Sequence, residues 1–177
     1  MTISESISKS LLHELDVIQH LYTKLDPAKA DWRPQENMRS TLELLRYLTS
    51  IGYSTVRHFV NPLPTGDLAM APLKVATDQA STLTFEEIPA AFEREREAIR
   101  EAMSSVTDED LTKTTWYPWG GPEMTLSYAL INASTKYLAA YRMQLFLYAK
   151  LCGAEIGTAN NWRGVDATPA PVVAAAQ

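Results

Sequence analysis

The histidines are the first candidates for chemistry, because a neutral imidazole can bind a divalent metal or act as an acid or base. The sequence contains three, His13, His20 and His58. His13 and His20 are seven residues apart on one predicted helix, a rise of about 10.5 Å, so both cannot easily reach one ion. A site made of His20 and His58 with Asp16 as the acidic partner is an alternative. We favour surface or capping roles for all three histidines.

The sequence offers little for covalent catalysis or phosphate binding. Its single cysteine, Cys152, lies beside the predicted C-terminal end of a helix, where the helix dipole raises the pKa of a thiol. We therefore expect Cys152 to be an unreactive side chain with only a packing role. No Gly-x-Ser-x-Gly elbow supports a hydrolase triad. The pair Gly120-Gly121 is too short for a phosphate-binding loop.

Length and composition predict a single globular domain. The chain has 177 residues, of which 46% are hydrophobic and 21% charged, and its net charge is −5. This excludes a disordered acidic chain, a collagen-like repeat and a disulfide scaffold. The acidic balance leaves no basic stripe for nucleic acid or anionic lipid, so neither nucleic acid nor a membrane is expected as a partner. No signal peptide and no membrane-spanning apolar run is evident, which predicts a cytoplasmic protein.

Four apolar stripes at helical spacing predict four helices. The first runs from about Ser4 to Leu25, and the second begins at a cap formed by Ser40 or Thr41 and stops before Pro62. Thr84 and Glu87 have the spacing of a capping box at the start of the third, whose stripe runs from Phe85 to Val106. Pro89 is expected to bend that helix. The fourth extends from about Leu126 to Leu151, with Gly153 at its C-terminal cap.

The segments between these helices have distinct expectations. Residues 61–81 are predicted to be a long crossover connection, since they contain several prolines and no sustained period. Residues 107–125 are rich in aromatic residues and predict either a short hairpin or a packed loop. We expect a bundle domain over residues 1–153 and a C-terminal extension over 154–177, the last ten residues being disordered.

Several short motifs, in order, resemble the DinB-like family. They are DWRP at Asp31–Pro34, TLELL at Thr41–Leu45, YRMQL at Tyr141–Leu145, and the following Gly153. The resemblance covers about residues 4–153. It implies an all-α four-helix bundle of up-down-down-up topology, with a long crossover between the second and third helices.

The resemblance also implies where a metal would bind. Many members of that family hold a divalent metal with three histidines, one in the second helix and two at i and i+4 in the fourth. The matching positions in this sequence are Tyr47, Tyr137 and Tyr141. A phenol with a pKa near 10 must lose its proton to become a good ligand, so we expect no metal and no cofactor here. A ferric tyrosinate site is the remaining metal-binding alternative.

Two interpretations of the three tyrosines remain open. Their side chains could fill a cavity, with the hydroxyls bonded to one another, to backbone or to water. Alternatively they could present hydroxyls to a small ligand in a retained pocket. The candidate rim of that pocket consists of Trp32, Trp116, Trp119, Lys136 and Arg142. For Trp32 we favour a structural role, with the indole packed over the end of the bundle.

The sequence therefore favours a non-metal protein that binds a small molecule or another protein. The apolar surface of the fourth helix and the family resemblance together predict a homodimer. The alternative is a transferase-type enzyme that acts on a small thiol or electrophilic substrate, with or without a metal, and uses tyrosine hydroxyls as acids or hydrogen-bond donors.

Overall fold

The structure is a computed structural model that describes residues 1–167. It confirms the all-α fold. Seven α-helices occur in this range: α1 (Ile3–Tyr22), α2 (Thr41–Val60), α3 (Asp67–Ala80), α4 (Ile88–Ser104), α5 (Leu126–Ala129), α6 (Lys136–Leu151) and α7 (Thr158–Arg163). A π-helical segment, Leu130–Thr135, joins α5 to α6. The remaining elements are two 3₁₀ turns, Pro27–Lys29 and Asp110–Thr112, and two short strands, β1 (Thr114–Thr115) and β2 (Met124–Thr125).

Reciprocal side-chain caps fix the starts of α1 and α2. The Ser40 hydroxyl accepts from the Glu43 N–H at 3.2 Å, and the Ser40 N–H donates to Glu43 Oε2 at 2.7 Å. Thr2 and Glu5 form the same capping box on α1. Each box satisfies N–H groups that have no partner within the helix. The sequence left Ser40 and Thr41 open as the cap of α2, and the structure selects Ser40.

The core lies among the four long helical rods. α1 and α2 each pack against both α4 and the helix that contains α6. Apolar side chains at helical spacing point into this space, and Leu11, Leu15, Leu44, Leu48 and Phe92 are fully buried. Because each helix buries one stripe, the bundle excludes water without any disulfide.

A long connection does join α2 to α4, but it is not irregular throughout as the sequence suggested, because it contains helix α3. This helix packs against α2 and accommodates Pro72 in its second turn. Only Ala69 and Ala80 are buried on α3, while Leu68 is 72% exposed. Such a helix buries too few large side chains to produce a clear apolar stripe, so the prolines dominate the sequence signal.

The start of α4 also differs from the prediction. Only half of the expected capping box forms, with the Thr84 N–H donating to Glu87 Oε2 at 2.8 Å. Helix α4 begins at Ile88, so Pro89 occupies its first turn. A proline in the first turn removes no helical hydrogen bond, and Pro89 therefore starts this helix without bending it.

The C-terminal half contains three features that complete the bundle. Strands β1 and β2 pair antiparallel, which resolves the aromatic segment as a hairpin. Residues 126–151 form one helical rod, in which the π-helical segment joins α5 to α6 without a break. Gly153, at φ 97°, follows the end of this rod. Beyond it, the C-terminal extension supplies α7, which packs on α1 and buries Asn160 and Asn161. The predicted disordered end, residues 168–177, lies outside the described residues.

Within residues 1–167, no helix combines the length and apolar character needed to cross a bilayer.

Candidate functional site

The three predicted site tyrosines lie on two neighbouring helices, α2 and α6. The rings of Tyr47 and Tyr141 meet edge to face, with centroids 4.8 Å apart and planes at 71°. Tyr137 precedes Tyr141 by one helical turn. All three side chains are half-buried. The bundle therefore brings together the positions that the family resemblance singled out.

Arg39 is a component of this site that the sequence did not reveal. Its guanidinium carbon lies 4.2 Å from the centroid of the Tyr47 ring and 5.7 Å from that of Tyr141. A cation over an aromatic face is attracted by the negative face of the ring. Arg39 directly precedes the Ser40 cap, so the start of α2 fixes the position of its main chain. The only sequence signal was its adjacency to that cap.

The phenols of Tyr47 and Tyr137 keep their protons. Burial raises the pKa of Tyr47 above its ordinary value of 10, and the adjacent Tyr141 raises it further while Arg39 opposes the shift. Burial, Tyr117 and Tyr141 likewise raise the pKa of Tyr137. At neutral pH these hydroxyls can donate and accept hydrogen bonds, but they do not act as phenolates.

The residues present do not fit a divalent metal. Phenols with raised pKa values are poor ligands, and the Arg39 guanidinium already places a positive charge over two of the rings. Among the described residues, no group of three or more His, Cys, Asp or Glu side chains lies close enough to hold an ion. No chemical step at this site is therefore assigned to a metal.

The histidines are separate from one another and from the tyrosines. His13 Nε2 lies 2.9 Å from the Trp162 carbonyl oxygen, and His20 Nε2 lies 3.0 Å from Asn160 Nδ2. Asp16, the acid of the alternative metal site, forms an ion pair with Arg96. The alternative prediction of a metal site formed by His20, His58 and Asp16 is wrong, because each of these side chains contacts a different part of the bundle.

Two of the predicted rim tryptophans lie on the hairpin beside the tyrosines. The Trp119 ring stacks on Tyr117 at 4.9 Å and lies 6.5 Å from Tyr137, in nearly parallel planes. It remains 50% exposed. The Trp116 indole donates to the Leu63 carbonyl at 3.0 Å, which ties the hairpin to the segment after α2. We call Tyr47, Tyr117, Trp119, Tyr137 and Tyr141 the aromatic cluster.

Two other predicted rim residues, Trp32 and Lys136, contact residues outside the aromatic cluster. Trp32 meets Tyr148 edge to face at 5.3 Å, and its carbonyl accepts from the Thr41 N–H at 2.9 Å. This is the structural role favoured for Trp32. Lys136 is exposed, and its ammonium donates to Asn132 Oδ1 at 3.2 Å.

Arg142 is not a rim residue. Only 3% of it is exposed, and its Nε donates to Glu14 Oε2 at 2.5 Å. Its Nη1 donates to Asn161 Oδ1 at 2.7 Å. Arg142 therefore faces α1 and α7 and joins them to α6, whereas Tyr141 faces α2. The 100° turn between successive helical residues separates these two roles.

A cleft of about 130 Å³ adjoins the aromatic cluster. It lies between the last turns of α2, the first turns of α3 and the hairpin. Trp119 belongs to both the cleft and the cluster, while Leu73, Pro72 and Ala69 supply apolar wall from α3. The cleft could not be found from sequence, because α3 was not predicted.

His58 lies in the wall of this cleft and is 7% exposed. Its Nε2 is 2.9 Å from the Trp116 carbonyl, which can only accept, so Nε2 carries the proton. Within residues 1–167, no protein group hydrogen-bonds to the buried Nδ1. Burial lowers the pKa of His58, which keeps the ring neutral.

Comparisons with known proteins agree with this architecture. A sequence model of the DinB superfamily matches residues 11–132, a range that includes Tyr47 and ends before Tyr137. The crystal structure of a DinB-like protein from Bacillus subtilis superposes with a TM-score of 0.64 at 14% sequence identity, covering 89% of this chain and 98% of that one. No match was found among curated proteins. Since the superfamily match spans more than half of the sequence, the chain belongs to the DinB superfamily.

Proposed function

We propose that the protein binds a small, non-metal ligand beside the aromatic cluster. The observation that carries this proposal is the position of Trp119, which is half exposed, stacks on Tyr117 and forms a wall of the adjoining cleft. An exposed aromatic face next to an apolar cleft offers a flat surface on which a ring can stack.

The chemistry of the cleft favours a small, uncharged, largely apolar ligand. Its volume of about 130 Å³ is of the size that accepts one small aromatic ring. The neutral His58 ring provides no charge, and the α3 wall consists of apolar side chains. The one charged side chain among the described residues that line the cleft is Arg57, which is exposed to solvent. The polar side chains Ser54 and Asn61 supply hydrogen-bonding groups that could orient such a ligand.

A matched pair of tryptophan variants tests this proposal. Phenol and indole serve as probes, and ¹H–¹⁵N chemical shifts report where each binds. Trp119→Ala should weaken binding at least ten-fold, whereas Trp162→Ala should leave it unchanged, because Trp162 is similarly exposed but lies on α7. Failure of both probes to bind, or equal effects of the two variants, would contradict the proposal.

Elemental analysis tests the non-metal part separately. Untagged protein should contain well below one equivalent of nickel, zinc or iron, because Arg39 and the protonated phenols disfavour a cation. One equivalent of metal in the wild-type protein that is lost in the Tyr47→Phe and Tyr141→Phe variants would overturn this part of the proposal. A metal-dependent activity would then become the favoured function.

We also propose that the protein forms a homodimer through the helical rod of residues 126–151. Large apolar side chains remain exposed along it, among them Tyr128, Ile131, Leu147 and Leu151. Contact between two copies would remove this surface from water. Light scattering at micromolar concentration should give twice the chain mass. A mass of 19.7 kDa would exclude the dimer.

A further inference from the structure

A second cleft, separate from the aromatic cluster, lies between α2, α3 and α4. Its volume is about 250 Å³, and it shares no lining residue with the cleft beside Trp119. Small side chains make up much of its wall: Ala76 and Ala80 from α3, and Ala91 and Ala98 from α4. Glu95 of α4 and Tyr53 of α2 also line it. The cleft therefore combines methyl-lined walls with a carboxyl group.

The carboxyl group of Glu95 is held deep in the bundle. Only 5% of the residue is exposed, and Oε1 accepts from the Tyr53 main-chain N–H at 2.7 Å. Gly52 permits this approach, since a Cβ there would lie 2.9 Å from Oε1. Burial raises the pKa of Glu95 to about 7, although the main-chain N–H groups of Tyr53 and Gly52 oppose the shift.

No cationic side chain within the described residues forms an ion pair with this carboxylate. The ion pairs formed within residues 1–167 do not include Glu95. Arg94 lines the same cleft, yet it is exposed and forms no ion pair with its neighbour. A buried carboxylate is stable only when it is paired or well hydrogen-bonded. A ligand that brings a positive charge would supply what the protein lacks here.

We propose that this cleft binds a small alkylammonium ion, with Glu95 as its counter-ion. The ammonium group would donate hydrogen bonds to the carboxylate, and a short alkyl chain would pack against the alanine side chains of α3 and α4. Other titratable groups that line the cleft are Tyr53 from α2 and Arg94 from α4, while α3 contributes none. This site goes beyond the ligand proposed for the aromatic cluster and does not depend on it.

Matched probes distinguish charge from shape. At pH 8, n-butylamine is protonated and Glu95 is ionised, so n-butylammonium should bind at least ten-fold more tightly than 1-butanol of equal length. Shifts of the Ala76, Ala80 and Ala98 amide signals should report binding at this cleft. At pH 5.5 the carboxyl is mostly protonated, and butylammonium binding should fall about ten-fold or more.

Three variants complete the test. Glu95→Gln keeps the shape and should weaken butylammonium binding at least ten-fold, whereas the exposed Glu101→Gln on the same helix should not. Ala76→Leu should block the cleft without changing the carboxyl, which keeps the test valid if Glu95→Gln does not fold. Absence of butylammonium binding, equal binding of 1-butanol, or unchanged binding by both Glu95→Gln and Ala76→Leu would overturn the proposal. The probes for the aromatic cluster would be unaffected by any of these outcomes.

Discussion

Replacing Glu95 by glutamine should remove a loss of stability that the wild-type protein suffers as the pH rises. An unfolded glutamate ionises near pH 4.5, whereas burial raises the pKa of Glu95 in the folded state to about 7. The folded state therefore binds more protons than the unfolded state between these values. Its free energy of unfolding falls by about 1.4 kcal/mol per pH unit in this window. Below pH 4.5 the contribution is fully present, and above pH 7 it is fully lost.

The total effect is about 3 kcal/mol, from a pKa that rises from 4.5 to about 7 in a group only 5% exposed. Urea unfolding from pH 4 to 8.5, followed by circular dichroism, measures it. Glutamine can still accept the Tyr53 N–H at its carbonyl oxygen and does not titrate. The difference in free energy of unfolding between Glu95→Gln and wild type should thus rise by about 3 kcal/mol across the range.

The comparison isolates one group because all other titrations are common to both proteins. Any constant cost of burying the glutamine NH₂ group shifts the whole difference curve without changing its pH dependence. Glu101→Gln, exposed on the same helix, should show no comparable slope between pH 4.5 and 7. A flat difference curve for Glu95→Gln would refute the reasoning, since it would mean that the carboxyl group has the same affinity for protons in both states.

Three further predictions concern other contacts. Gly52→Ala should lower the free energy of unfolding in urea by about 1–3 kcal/mol, because the added Cβ would meet side-chain atoms at 2.9–3.3 Å. This loss should outweigh the higher helix propensity of alanine. A variant more stable than wild type would contradict the prediction. Glu14→Ala should lower the free energy of unfolding by about 3–5 kcal/mol, because it leaves the buried Arg142 without its carboxylate partner. Glu97→Ala breaks an exposed ion pair and should lower it by less than about 1 kcal/mol. Similar losses in the two variants would refute the distinction between buried and exposed pairs. In an ultraviolet titration to about pH 11, the Tyr47→Phe variant and the wild-type protein should show the same number of ionised tyrosines, because Tyr47 stays protonated in the wild type. One fewer tyrosinate in the variant would contradict this prediction.

The main helices could be predicted from sequence because their determinants are local. Ser40 and Glu43 lie three residues apart, so the capping box of α2 is visible without any tertiary information. The stripes of α1, α2 and the 126–151 rod reflect burial on one face, which imposes helical spacing on the apolar residues. Pro72 shows the limit of this approach, since it lies inside α3 on a helix that buries mainly alanine.

The candidate site was only partly predictable. Tyr47, Tyr137 and Tyr141 were identified through the family resemblance, and the structure brings Tyr47 into contact with Tyr141. Arg39 was missed because it is far from Tyr141 in sequence and reaches the Tyr141 ring only through the packing of α2 against α6. Arg142 was misplaced, since neighbouring helical positions differ by 100° in direction and the adjacent tyrosine gave no guide to it.

The sequence by itself determined the helical class, a side-chain cap at the start of α2 and the absence of imidazoles at the expected ligand positions, because composition, spacing and side-chain type are properties of the chain alone. Tertiary structure decided which charges are buried. Glu95 lies within the charged segment Glu93–Glu97, and the structure shows that its carboxyl group approaches the α2 backbone beside Gly52. Its raised pKa comes from that burial, and no local pattern encodes how closely two helices approach.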